Sequence, residues 1–488
     1  MQRPTSPDQL TLVGAGLAGS LLAILLARRG LQVELYERRP DPRQVPDPAG
    51  RSINLALSTR GLHALQQVGL AEAIKRDSIP MRGRMIHSLD GAVRFQPYGK
   101  DDSEVLYAIS RADLNKTLLD AADDHAGVQM FFQHRCLGVN CTTGELHLRQ
   151  ETTGCARSLP AGRIIGTDGS ASALRVSMLS TPRFNFSQNY LEHGYKELTL
   201  PPAPDGTFQL DQHALHIWPR NAYMLIALPN TDGSFTCTLF LPFEGEVSFA
   251  SLASPQHVSD FFHRQFPDVA PLIPNLVDTF FSHPTGALVT IKCAPWHIAD
   301  KILLLGDAAH AMVPFYGQGM NCAFEDCSYL DQCIAQYGPD WEQIFFTYER
   351  LRKQHTDAIA DMALAHYIEM RDRVADAKFL LQKQIELELE KRYPETFIPQ
   401  YALVTFHRTP YAVARDQGVR QERILQELSA SIDTIDALDW DTADRLITSE
   451  LGSSSRTTKH ANPPTHDLQG LFAPGSTPGT AGRTGTGR

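Results

Sequence analysis

Near the start of the chain, Gly14-Ala-Gly16-Leu17-Ala18-Gly19 has the spacing of a loop that carries a pyrophosphate. Gly14 permits a tight turn, Gly16 lets backbone approach the phosphates, and Gly19 allows close helix–strand packing. A helix that opens here offers free amides and the positive end of its dipole. GxGxxG alone is a weak signal. Here it follows a strand and opens a helix, and Glu37 ends the next strand, 23 residues after Gly14. A carboxylate at that place accepts hydrogen bonds from an adenosine ribose and repels a 2′-phosphate. The pattern predicts an FAD or NAD adenylate held by Gly14, Gly16, Leu17, Ala18, Gly19 and Glu37, with Arg38 and Arg39 beside it.

Two further stretches have related chemistry. Gly166-Thr-Asp168-Gly169 follows the strand-like Arg163-Ile-Ile165; alone it is accounted for by a simple Asx turn. Gly306-Asp307-Ala-Ala-His310 closes the apolar run Ile302–Leu305 and leads into Pro314-Phe-Tyr-Gly317-Gln-Gly319-Met320-Asn321. An Asp at a strand end binds a ribityl hydroxyl, and amides at a helix start stabilise the negative charge that collects on a flavin pyrimidine. Separately the two are weak, and the ordered set of three is strong. No Ser-His-Asp constellation and no metal-ligand cluster is legible, so no metal is expected.

These residues need a scaffold. Leu10–Val13, Leu17–Arg29 and Gln32–Glu37 read as strand, helix and strand, the start of a doubly wound sheet. Leu10–Ala27 carries no charge over eighteen residues, but its three glycines favour this βαβ unit over a membrane span. A helix is expected around Thr59–Val68. From about 183 to 286 short aromatic and β-branched runs, such as Ala214–Trp218, Tyr223–Leu228 and Phe235–Leu241, predict antiparallel strands of a second domain. A helix resumes over Gly319–Ala335, the pattern stays helical from Trp341 to about Leu389, and another helix is expected over Gln421–Ile435. Residues 1–9 read as a frayed arm and Pro40–Pro48 as a loop. The last 38 residues contain 22 Gly, Pro, Ser or Thr, which predicts a disordered tail.

The net charge of −10 argues against a nucleic-acid footprint, which needs clustered Lys and Arg. The eight cysteines, at 136, 141, 155, 237, 293, 322, 327 and 333, show no CxxC spacing and read as free thiols of a reducing cytoplasm.

The three motifs, in this order and spacing, resemble the class A flavoprotein aromatic hydroxylases, in which FAD stays bound and NADPH visits without a Rossmann domain of its own. Arg51–Ser58, Met81-Arg-Gly-Arg84-Met85, Gln96-Pro-Tyr98-Gly99, Asp101–Val105, His193–Glu197, Ala214–Pro219, Val313–Phe315, Tyr367–Met370 and Tyr401–Phe406 are similar to the kynurenine 3-monooxygenase family. The likeness runs from about residue 10 to about 425. It implies an α/β fold: an FAD-binding, Rossmann-like domain over 8–79, 102–182 and 287–340, an inserted antiparallel substrate-binding sheet over 80–101 and 183–286, a helical region over 341–450 and the tail from 451.

Position by position, the resemblance implies that Arg84 and Tyr98 bind the amino-acid carboxylate of kynurenine. A single Arg in a Gly-containing loop reads equally well as a solvated surface charge. Tyr401 matches a further substrate contact, and Phe240, Phe315, Glu369 and Met370 match the pocket wall or its support; Phe240 and Met370 could equally be core. Ala56, Arg111, Cys136, Asp307, Gly319, Met320 and Asn321 match cofactor positions. His366 stands where relatives carry an Asn that helps hold the carboxylate. A histidine there predicts an affinity that depends on pH near the imidazole pKa.

The implied reaction is hydroxylation of L-kynurenine to 3-hydroxy-L-kynurenine with NADPH and O₂, a step of tryptophan catabolism. A flavin C4a-hydroperoxide carries the chemistry in such enzymes, so no catalytic acid or base is assigned. A hydroxylase of another amino-bearing aromatic acid and a non-catalytic FAD-fold escort protein are the alternatives. A flavin-dependent halogenase needs a Trp-x-Trp-x-Ile-Pro element, and the four Trp lie too far apart to form one. No apolar anchor segment is evident, which predicts a cytoplasmic protein, and a homodimer is left open.

Overall fold

The computed structural model describes residues 9–45, 54–373 and 376–452. The expectations for residues 1–8, part of the Pro40–Pro48 loop and the tail beyond residue 452 lie outside the described residues, while Gln9, expected in the frayed arm, opens the first strand.

A six-stranded sheet forms the base, in the order His297–Ile298, Ile302–Leu304, Arg163–Gly166, Gln9–Val13, Gln32–Tyr36, Val128–Phe131. All neighbours are parallel except the first pair. Parallel strands need covered faces, which explains why Leu10, Leu12, Ile164, Ile165, Ile302 and Leu303 are all buried without alternation. Helices Leu17–Arg28 and Gly319–Tyr337 supply much of that cover. The uncharged Leu10–Ala27 stretch is thus strand, turn and helix, and no described helix is long and apolar enough to cross a membrane.

Beside it lies a seven-stranded sheet: Gly286–Ala294, Asn185–Leu200, Phe235–Pro242, Met224–Pro229, Ala214–Pro219, Gly83–His87, Val93–Pro97. The sheet expected to be antiparallel has one parallel pair, Ala214–Pro219 with Gly83–His87. That pairing brings the 80–101 segment into the same sheet and places Arg84 beside Leu215. One face packs on an aromatic cluster that includes Trp218, Phe261, Phe262, Phe266 and Phe280. The other face, with Phe240, meets Phe315, Tyr367 and Met370.

Two small sheets complete the β structure among the described residues. Asn54–Leu57, Leu106–Ser110 and Ile79–Met81 form one, and a meander of His134–Asn140, Glu145–Gln150 and Ala156–Pro160, not anticipated from sequence, packs on helix Ala173–Met178.

The carboxy-terminal part is helical, with different boundaries from those expected. Helix Trp341–Ile368 passes into a π-helical turn over Glu369–Arg373 before a separate helix Ala377–Arg392 begins. The helix placed at Gln421–Ile435 instead runs over Tyr411–Ser429, opening directly after Pro410. Pro at such a helix start is favoured because its missing N–H would be unpaired anyway. All eight cysteines are free; five are buried and Cys155 is exposed.

Candidate active site

Parallel topology brings the three sequence motifs together. Strands Gln9–Val13, Arg163–Gly166 and Ile302–Leu304 are adjacent and run the same way, so their carboxyl ends share one sheet edge. Ligands of open α/β sheets bind at that edge. Thr167 ties two of the motifs directly, its Oγ1 donating to Val13 O at 3.0 Å or Gly14 O at 2.8 Å. Gly14 has φ +102°, and a Cβ there would meet Thr167 O at 2.5 Å. At Gly16, by contrast, a Cβ would meet nothing within 4 Å. Open space therefore lies against the start of helix Leu17–Arg28, whose first amides have no side-chain cap.

Glu37 follows the second strand and is fixed by backbone. Its Oε2 accepts from Ala15 N at 3.0 Å and its Oε1 from Arg39 N at 2.9 Å. Arg38 and Arg39 are exposed. Asp168 does more than an Asx turn requires: Oδ2 accepts from Ala173 N at 2.8 Å, capping the helix that follows, while Oδ1 is buried with no partner. Burial pushes its carboxyl up. Asn115 likewise gives Nδ2 to Ala15 O and leaves Oδ1 buried and unpaired.

Asp307 is exposed at the start of its short turn after Gly306, which has φ +63°. Arg111 is exposed at the first position of helix Arg111–Asp123. Cys136 lies on the meander, and burial pushes its thiol up to about 12, with the nearby Asp168 adding to the shift. Helix Gly319–Tyr337 has no side-chain cap, leaving the amides around Gly319 and Met320 available to a ligand. Asn321 is fully occupied: its amide group donates to Ala56 O at 2.9 Å and Gly317 O at 2.8 Å and accepts from Ser58 N at 2.9 Å. Its side chain staples two loops together.

The uncapped helix starts, the open space at Gly16 and the orphaned oxygens of Asp168 and Asn115 fit a large polyanionic, hydrogen-bonding cofactor such as FAD.

Next to this edge is a cavity of about 110 Å³, where one water needs only roughly 10–15 Å³. Arg84, Tyr98, Tyr401, Phe240, Phe315 and Met370 line it, and so do Ala56 and Gly317 from the cofactor side. Most other walls are aliphatic; Asn54, Thr236 and Thr238 add polar groups. His366 and Glu369 do not line the cavity but stand behind Arg84.

Arg84 is 8% exposed, which rules out the solvated surface charge. Its guanidinium carbon lies 4.8 Å from the Tyr401 ring centroid and 5.4 Å from that of Tyr98. Its Nη2 is 3.1 Å from His366 Nε2, and its Nε has no partner. Among the described residues no carboxylate lies within ion-pair distance of Arg84. Burial pushes the Tyr98 and Tyr316 phenols well up and raises that of Tyr401, so all three stay protonated and can donate. Burial would also raise Glu369, but Lys383, His366 and Arg84 outweigh it and hold that carboxyl far below the usual range.

An FAD binding domain family matches residues 9–221 and 290–363. Kynurenine 3-monooxygenase of Myxococcus xanthus (strain DK1622) is 53% identical over 444 residues, 91% of this chain and 96% of that protein. The protein of the same name from Xanthomonas campestris pv. campestris (strain 8004) is 47% identical over 451 residues, 92% of this chain and 98% of the other. The chain belongs to the kynurenine 3-monooxygenase family. Solved structures show the fold shared more widely. A 2-methyl-3-hydroxypyridine-5-carboxylic acid oxygenase superposes with a TM-score of 0.62 at 21% identity, covering 77% of this chain and 95% of its own. PqsL of P. aeruginosa, in complex with 2-aminobenzoylacetate, gives 0.59 at 22%, covering 75% and 97%.

Within this family member, sequence reasoning passed over Tyr316 and Lys383. Tyr316 stacks on Tyr401 at 5.5 Å between centroids and tilts against His366 at 4.9 Å. Its place beside Phe315 in a Pro- and Gly-bounded turn is a signal that could have found it. Lys383, paired with Glu386 at 2.9 Å, contributes to holding Glu369 ionised from another helix, and no local pattern marks it.

Proposed function

We propose that the protein hydroxylates L-kynurenine to 3-hydroxy-L-kynurenine, using NADPH and O₂ with FAD bound. The observation that carries this reading is Arg84, a buried cation without a carboxylate partner on the wall of a largely apolar cavity. Glu369 reaches Arg84 only across His366, and a buried charge with no carboxylate in direct contact is costly, so such a site suits an anionic group that arrives with the ligand.

Gly14, Gly16, Gly19 and Glu37 would hold the adenylate and pyrophosphate, with Leu17, Ala18, Arg38, Arg39 and Cys136 around them. Asp307, Arg111, Ala56 and the amides of Gly319, Met320 and Asn321 would serve the ribityl chain and ring. When bound, FAD supplies the redox chemistry, accepting a hydride from NADPH and activating dioxygen.

The chain's own residues bind and orient. Arg84 takes the amino-acid carboxylate, and the Tyr98 and Tyr401 hydroxyls donate to it. His366 and Glu369 fix Arg84 from behind. Phe240, Phe315 and Met370 press on the aromatic ring and keep water from the reacting carbon. No residue is needed to supply a catalytic proton at the ring.

NADPH consumption, measured with and without kynurenine on flavin-loaded protein, tests the reading. Kynurenine should stimulate consumption and yield the 3-hydroxy product. Stimulation by another amino-bearing aromatic acid alone would reassign the substrate, and no stimulation by any would sink the proposal.

A further inference from the structure

Behind the active site lies a buried ionic chain that the reaction does not use. Arg60, 1% exposed, donates from Nη1 to Glu325 Oε1 at 2.7 Å. Glu325 Oε2 takes Arg352 Nη1 at 2.7 Å, and Arg352 Nε donates to Asp326 Oδ1 at 2.7 Å. Asp326 Oδ2 meets His310 Nε2 at 2.6 Å. Two guanidinium groups balance two carboxylates, so the grouping of His310, Cys322 and Asp326 leaves no net negative charge for a metal ion.

Arg60 differs from the rest of the chain in where its remaining donors go. Nε donates to Val404 O at 2.8 Å and Nη2 to Thr409 O. Its guanidinium lies 3.9 Å from the Tyr411 ring centroid, and the Tyr411 hydroxyl donates to Gln318 Oε1 at 3.0 Å. Val404 belongs to helix Gln400–Thr405, the element that carries Tyr401. Glu325 belongs to helix Gly319–Tyr337, whose start lies at the cofactor edge. One side chain therefore joins the substrate-side helix to the cofactor-side helix.

We infer that Arg60 is a positioning residue for substrate binding: it clamps residues 400–409 onto helix Gly319–Tyr337 and thereby holds Tyr401 against Arg84. A six-residue helix cannot hold its own position by backbone hydrogen bonding alone. Removing the planar fork frees it while the active-site cation stays in place. The inference rests on the kynurenine reading for its kinetic arm but not for its structural one.

Arg60→Lys keeps the charge opposite Glu325 and loses the fork that reaches both carbonyls. The kynurenine KM should rise about tenfold, with kcat within about twofold of wild type. Tyr401→Phe should add little in that background, because the two residues act through one contact. Amide exchange over residues 400–409, measured on holoprotein without substrate, should speed up. An unchanged KM, a kcat loss without a KM change, or Arg60→Lys and Tyr401→Phe effects that multiply would each overturn the inference, as would unchanged exchange. If Arg60→Lys does not fold, the paired variant R60Q/E325Q removes one charge of each sign, and the same readouts decide. Should wild-type protein ignore kynurenine, the functional proposal fails while exchange still decides the clamp.

Discussion

Arg84 Nη2 and His366 Nε2 lie 3.1 Å apart, both side chains buried. A guanidinium can only donate, so His366 must accept at Nε2 and carry its proton at Nδ1, towards Glu369 Oε1 at 3.6 Å. Burial pushes His366 down, opposed by Glu369 and assisted by Arg84. The imidazole is therefore neutral at pH 7. The pH dependence expected near the ordinary value moves to more acidic conditions. The kynurenine KM should be flat from about pH 7 to 8.5 and change only below about 6.5, where protonation breaks the Arg84 bond. His366→Asn should abolish that acidic change. An inflection above neutrality in KM against pH, lost in His366→Asn, would refute this assignment.

Arg84→Ala should raise the kynurenine KM more than about tenfold, since losing the partner of a buried charge costs about 2–5 kcal/mol. Flavin absorbance should be unchanged, because Arg84 sits on the substrate-sheet strand Gly83–His87 and not at the cofactor edge. Arg84→Lys should recover only part of the affinity, as a point charge lacks the two-pronged geometry. An unchanged KM in Arg84→Ala removes this residue from the site.

The cofactor edge was legible because its demands are local. Gly14 at φ +102° and Gly306 at φ +63° need backbone that only glycine adopts easily, so the sequence had to display them. Arg84 was ambiguous because Tyr98, on the same hairpin, covers only part of it, and the rest of its burial comes from His366, 282 residues further along, and from Tyr401 beyond that. The misplaced helix has a physical reason too. Tyr411–Ser429 contains Gly418 and a polar stretch, Arg415 to Arg420, that hide the helical pattern. A Cβ at Gly418 would meet the far end of the Gln400 side chain, which can move aside, so packing accepts glycine there without demanding it. The Arg60–Glu325–Arg352–Asp326 chain was likewise invisible, as its members are spread over almost 300 positions.

Two glycines of the first motif separate folding from cofactor retention. A methyl at Gly19 would strike Thr167 Oγ1 at 2.6 Å and the Gly14 carbonyl closer still, whereas one at Gly16 meets only open space. Gly19→Ala should lower the melting temperature of the flavin-free protein. Gly16→Ala should leave that temperature nearly unchanged and still weaken FAD retention, read from flavin absorbance after gel filtration. Full retention of FAD by Gly16→Ala would place the pyrophosphate elsewhere.

Glu197 gives the last test. It is buried on strand Asn185–Leu200, two residues beyond the cavity-lining Tyr195 and opposite Thr238. Burial raises its carboxyl to about 7, with Arg111 opposing the shift. A folded-state value above the unfolded one means that the folded protein holds this proton longer. Stability from this group is then full below about pH 4.5 and falls as pH rises through about 7. Glu197→Gln cannot lose the proton. It should flatten the fall in melting temperature between pH 5 and 8, and at pH 8 it should be the more stable protein by on the order of 3 kcal/mol. Parallel stability profiles for Glu197→Gln and wild type across that range would show that the carboxyl is not held neutral by its surroundings.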